Sequence, residues 1–158
     1  MAPAPQSVQT PAERRSAEAE YTGLVAKHAK AHAKLIGSAR RKLRTRLPTA
    51  YEIVYEYTSW IVITYAPSDK GYEGVFGIRA DQEGVKLFFS PGKKLPDPDK
   101  LLQGSGALAK YVPLESASTL SRPGVAKLID ATVALTKARF ARSGKRPIIV
   151  RAKGRKGR

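Results

Sequence analysis

Tyr51 to Tyr65, YEIVYEYTSWIVITY, holds five of the chain's twelve aromatic residues and reads as two adjacent strands. In the first half Tyr51, Ile53, Tyr55 and Tyr57 alternate with Glu52, Val54 and Glu56, the period-2 pattern of a strand with one face buried. The aromatic face is expected to point inward, leaving the two carboxylates toward solvent. In the second half Trp60 to Tyr65 is β-branched or aromatic throughout, which suits a strand covered on both faces. A turn over Thr58 and Ser59 would make the two a hairpin, although neither residue is the Asn-Gly or Asp-Gly signal of the tightest turns.

Moving outward, Pro67 to Gly74 (PSDKGYEG) has loop composition, and Val75 to Arg79 and Gly84 to Ser90 read as further strands. PGKKLPDP, from Pro91 to Pro98, is a loop. Asp99 to Gln103 has room for one helical turn before Gly104-Ser105-Gly106, and Tyr111 to Leu114 is an edge strand where Pro113 is tolerated. Upstream, Leu24, Val25, His28, His32, Leu35, Ile36, Ala39, Leu43 and Leu47 follow helical spacing, so one helix is expected from Tyr21 to Leu47, stopped by Pro48. Downstream, Ser121 to Phe140 reads as a second helix with Ser121 as cap and Pro123 in its first turn. The expected fold is α+β, a mostly antiparallel sheet of about four to five strands packed against an N-terminal and a C-terminal helix.

Three parts follow from this pattern: a disordered or frayed segment 1–20, a domain over 21–140, and a basic tail 141–158. Whether Ile148 to Val150 in that tail adds a strand is left open by the sequence. With 158 residues and no cysteine, one core is affordable and disulfides and thiolate metal sites are excluded. The opening MAPAPQSVQTPAERR has no apolar segment of signal type, and no apolar run reaches the ~20 residues of a membrane helix, so a cytoplasmic protein without a membrane partner is expected.

The net charge of +16 is unevenly placed. Residues 21–47 hold eight basic and no acidic residues, and 131–158 hold ten basic and none acidic, while 48–130 are nearly balanced with nine basic and ten acidic. Arg142, Lys145, Arg146, Arg151, Lys153, Arg155, Lys156 and Arg158 form a polycation suited to phosphates. Lys93 and Lys94, with Gly104, Gly106 and Lys110, form a possible ligand loop, because glycine lets backbone N–H groups approach an anion and lysine neutralises it. Neither glycine group matches a phosphate-binding P-loop or the spacing of a dinucleotide fold.

Other constellations are weaker. His28 and His32 stand four apart, a spacing that can share a metal ion, but no third ligand accompanies them and they are read as packing groups. Glu52 and Glu56 lie about 13 Å apart along a strand, too far for an acid–base pair. Tyr55, Tyr57, Trp60 and Tyr65 are read as core or cross-strand pairs, with lining a pocket or stacking on bases as the alternative. No nucleophile–base set can be assembled, so no catalytic residue, cofactor or metal is assigned and the chain is read as a non-enzyme.

AYEIVYEY at Ala50 to Tyr57, VKLFFSPG at Val85 to Gly92 and LPDPDKLLQGSGALAKYVPL at Leu95 to Leu114 resemble the YdhG-like family, a bacterial domain of unknown function. The resemblance covers roughly 24–140. It implies a compact domain with helices against an antiparallel sheet, and some relatives are labelled frataxin-like iron chaperones. Such a role would call for an acidic helix ridge, where this chain carries its excess of cations. The expected function is non-specific binding of nucleic acid or another anionic partner through the basic helix and tail. The alternative is a small-ligand or metal carrier using the sheet face and the 92–111 loop block.

Overall fold

The computed structural model describes residues 9–135, 140–141, 144 and 147–151. The hairpin forms as expected: β1 (Tyr51–Glu56) and β2 (Ile61–Ala66) pair antiparallel with Glu56 opposite Ile61, and the Tyr57 N–H donates to the Trp60 carbonyl at 2.9 Å. β3 (Phe76–Ala80), β4 (Val85–Phe89) and β5 (Lys110–Pro113) continue the antiparallel meander, with Pro113 on the edge. A sixth strand corrects the expected sheet. β6 (Ile148–Arg151) pairs with β1 in parallel, giving the order β5-β4-β3-β2-β1-β6 and a mixed sheet. Parallel pairing needs a long crossover, and the segment between β5 and β6, which carries the last helix, supplies it.

The single helix expected from Tyr21 to Leu47 is two. α1 (Pro11–His28) begins well before Tyr21, under a capping box in which Thr10 Oγ1 accepts from the Glu13 N–H at 3.1 Å and Glu13 Oε1 accepts from the Thr10 N–H at 2.8 Å. It stops at Ala29, whose backbone leaves the helical region (φ −150°, ψ 41°), and a 3-10 turn at Lys30–His32 leads into α2 (Ala33–Arg46). No glycine or proline marks the break. Ala17, Tyr21, Val25 and His28 of α1 and Ile36, Ala39, Arg40 and Leu43 of α2 are two buried stripes that reach the same sheet only if the helix folds back. α3 (Pro123–Leu135) follows a 3-10 turn at Ala117–Ser121; Ser121 does not cap it, its hydroxyl accepting instead from Lys42 Nζ at 3.0 Å. No described helix is long and apolar enough to cross a membrane.

All three helices lie against one face of the sheet, where Val54, Ile61, Ile63, Tyr65, Phe76, Ile78, Leu87 and Phe89 meet Val25, Ile36, Leu43, Leu128 and Ile129. Glu52 and Glu56 share that face, opposite to expectation. Glu52, 3% exposed, takes two hydrogen bonds of 2.9 Å from Arg40 and one of 2.7 Å from the Tyr65 hydroxyl. Glu18 completes the cage around Arg40 with two bonds of 2.7 Å, and the guanidinium lies 4.3 Å from the Tyr21 ring centroid. A guanidinium too buried for water must be met by carboxylates, which is why the strand carries one inward. Burial works against the Arg40 charge, but Glu18 and Glu52 outweigh it and raise its pKa further. The same hydrogen bonds hold Glu18 below the usual carboxylate range, and burial beside Glu52 pushes the Tyr65 phenol well up. Glu56, bonded to Lys27 and His28 at 2.7 Å each, is lowered by them.

Candidate functional site: an open sheet face

Among the described residues no α-helix packs on the opposite face. Strand register lines up two rows there. One runs Arg151, Tyr55, Val62, Arg79, Lys86 from β6 to β4, and the other Ile149, Ile53, Thr64, Gly77, Phe88, Tyr111 from β6 to β5. The alternation that sends Val54, Ile63, Ile78 and Leu87 into the core sends these residues outward. At one end a small apolar cluster of Tyr51, Ile53 and Ala66 closes the face. The rest is a groove of about 960 Å³.

Two loops wall it. The 67–74 loop leans inward because Gly71 packs directly against the Tyr55 hydroxyl, where any Cβ would collide with it, and because Arg151 Nη2 donates to the Asp69 carbonyl at 2.6 Å. Arg151 Nη1 also donates to the Tyr55 hydroxyl at 2.9 Å, so β6, β1 and this loop meet at one guanidinium. Tyr72 stands at the rim, 82% exposed. On the far side the expected helical turn at Asp99–Gln103 is absent: the Asp97 carboxylate accepts from the Leu101 and Leu102 N–H groups, and Gln103 makes a bridge to Tyr111 through bonds of 2.8 and 3.0 Å. That bridge carries Gly104-Ser105-Gly106 over the groove, where Lys110 Nζ donates to the Gly104 carbonyl at 2.5 Å. The floor depends on Gly77, because a Cβ there would meet both the Phe88 ring and the Ile63 carbonyl.

The groove is cationic. Lys70, Arg79, Lys86, Lys110 and Arg151 line it against one carboxylate, Asp69, and none of the five makes an ion pair among the described residues. Three lie over rings instead: Arg79 over Trp60 at 4.5 Å, Lys86 over Tyr111 at 4.3 Å and Arg151 over Tyr55 at 5.8 Å. Such stacking orients a cation without neutralising it; Arg79 and Lys86 keep their N–H donors for an anion, whereas Arg151 already spends two on the Tyr55 hydroxyl and the Asp69 carbonyl.

The expected loop site divides here. Gly104, Gly106 and Lys110 line the groove, whereas Lys93 and Lys94 sit exposed on a 3-10 turn at Gly92–Lys94 outside it. Of the tail cations Arg151 reaches the groove; Arg142, Lys145, Arg146, Lys153, Arg155, Lys156 and Arg158 lie outside the described residues. The aromatic quartet divides as well: Tyr65 is core, while Tyr55 and Tyr57 face the groove and Trp60 stacks on Tyr57. His28 and His32 point to different partners, Glu56 and the Gln82 carbonyl at 3.2 Å, and no three His, Asp or Glu side chains gather into a metal site among the described residues.

Arg79, Lys86, Lys70 and Tyr72 were not foreseen. Arg79 and Lys86 each stand alone among apolar neighbours in a strand, and the available signal was that both occupy the phase opposite to Ile78 and Leu87. The chain matches no family model, no curated protein and no solved structure with which it was compared.

Proposed function

We propose that the protein is a non-catalytic binding domain for a phosphate-bearing ligand held on the open sheet face. The observation that carries this reading is the convergence of Lys70, Arg79, Lys86, Lys110 and Arg151 on a groove with a single carboxylate. Unpaired cations over a shared concavity repel one another, and a bound anion relieves that repulsion. The site is thus that of the small-ligand alternative, and the ligand charge that of the polyanion reading.

The basic helix is a poorer place for the contact. Arg40 is enclosed by carboxylates, Lys27 pairs with Glu56 at 2.7 Å, Arg46 with Asp130 at 2.8 Å, and Arg44 approaches Glu18 and Glu52 at 3.8 and 3.6 Å. Much of the local excess is therefore neutralised from elsewhere in the chain. A reaction finds little support in the groove, whose lining has no histidine and a single carboxylate, Asp69.

Titration calorimetry of the full chain with inorganic pyrophosphate and with a nucleoside diphosphate at low salt tests it. Wild-type protein should give saturable heat that the double variant Arg79→Glu, Lys86→Glu loses. Absence of heat with the wild type, or full retention in the variant, would refute the proposal.

A further inference from the structure

The rings and cations of the open face form a continuous belt that crosses the strands. From β6 inward, Arg151 lies over Tyr55, Tyr55 tilts against Tyr57 with centroids 6.5 Å apart, and Tyr57 stacks on Trp60 at 5.2 Å and 13°. Arg79 then lies over Trp60, and its cross-strand neighbour Lys86 lies over Tyr111 on β5. The belt thus spans a six-stranded sheet, about 24 Å at the usual strand spacing.

This layout discriminates among phosphate-bearing ligands. A mononucleotide offers one base and one phosphate group, and would engage a single ring and its cation. Rings and cations spread over several strands instead match a polymer that presents a base and a phosphate at each step. A duplex hides its base faces and is read through grooves that admit a helix or a two-stranded ribbon, not the broad face of a six-stranded sheet. Bases splayed from a single strand expose the π-faces that Tyr57, Tyr72 and Tyr111 can stack upon.

Building on the groove reading above, we infer that the ligand is single-stranded nucleic acid lying across the strands between β6 and β5. Its phosphates meet Arg79, Lys86 and Lys110, with the charge of the tethered Arg151 at one end, and its bases stack on tyrosines with little sequence preference. Five groove cations set an upper bound of about 3.5 on the salt slope, at roughly 0.7 per phosphate neutralised on a single strand.

Trp60, the one tryptophan of the chain, touches both Tyr57 and Arg79 and is a built-in reporter. Its fluorescence should be titrated with an oligothymidylate of about eight nucleotides, the same strand annealed to its complement, and thymidine monophosphate. The single strand should bind at least about tenfold tighter than either other probe. Tyr57→Leu and Tyr111→Leu should each weaken it by about tenfold, and Lys86→Gln should lower the salt slope by about 0.7. Thermal midpoints of the variants serve as the folding control, and a labelled strand followed by anisotropy replaces the fluorescence signal for Tyr57→Leu.

Equal affinity for the monophosphate and the strand would overturn the single-strand inference while leaving the groove reading intact. Duplex binding as tight as that of the single strand would also overturn it. If neither these probes nor pyrophosphate bind, both readings fall.

Discussion

The two faces of the sheet treat arginine in opposite ways. On the helix-covered face Arg40 is gripped by Glu18 and Glu52, with Tyr21 against its plane. On the open face Arg79 and Arg151 rest on aromatic rings, without a carboxylate pairing them among the described residues. A buried guanidinium must be neutralised for the fold to exist, whereas one turned to water needs no partner and keeps its charge for a visitor. The location of the acids, more than of the bases, therefore separates structure from function.

The sharpest break of this comparison is Arg40→Met, which removes both of the Arg40 hydrogen bonds to buried Glu52, leaves only Arg44 as its cation at 3.6 Å, and should cost about 3 kcal/mol in urea denaturation. A loss below ~1 kcal/mol would mean that the cage is not what holds α1 and α2 to β1. Acid should act on the same face. Glu18 and Glu56 have folded-state pKa values below their unfolded ones, so the stability they contribute is present above about pH 4.3 and is lost as pH falls through the lowered folded values. Urea midpoints measured between pH 5 and pH 3 should drop, and Glu56→Gln should flatten that decline. A wild-type and Glu56→Gln pair falling in parallel would contradict the assignment.

Smaller effects sharpen the contrast. Thr10→Ala removes the capping box of α1 and should lower stability by about 1 kcal/mol, with ligand affinity unchanged. Arg79→Glu with Lys86→Glu should do the reverse, moving stability by no more than about 0.5 kcal/mol while abolishing binding of pyrophosphate. If that double variant unfolds the protein, the open-face cations are structural and the contrast dissolves.

Local pattern made part of this legible. Period-2 alternation and β-branched runs located the hairpin and the next three strands to within a residue or two. The break at Ala29 was invisible, because Ala-Lys-Ala-His carries no helix breaker and tertiary burial alone decides it. The direction of Glu52 was misread for a related reason. A carboxylate in a strand normally faces water, and its buried partner Arg40 sits in a helix whose other cations look like solvated surface. Gly104, Gly106 and Lys110, singled out by loop chemistry, line the groove, but Arg79 and Lys86 join it only through cross-strand register, which lone cations in apolar strands do not announce. Ile148 to Val150 was visible as an apolar island, and its pairing with β1 was not, since nothing local encodes a partner so far away.

That long-range pairing bears on how the chain is made. Tyr55 leaves the ribosome 96 residues before the Arg151 that will hold its hydroxyl. Until then β1 presents a bare hydrogen-bonding edge beside Ile53 and Val54, open to any other strand that arrives first. Fragments ending ahead of Pro147 should therefore self-associate even though α1, α2, α3 and the whole antiparallel meander are already encoded in them.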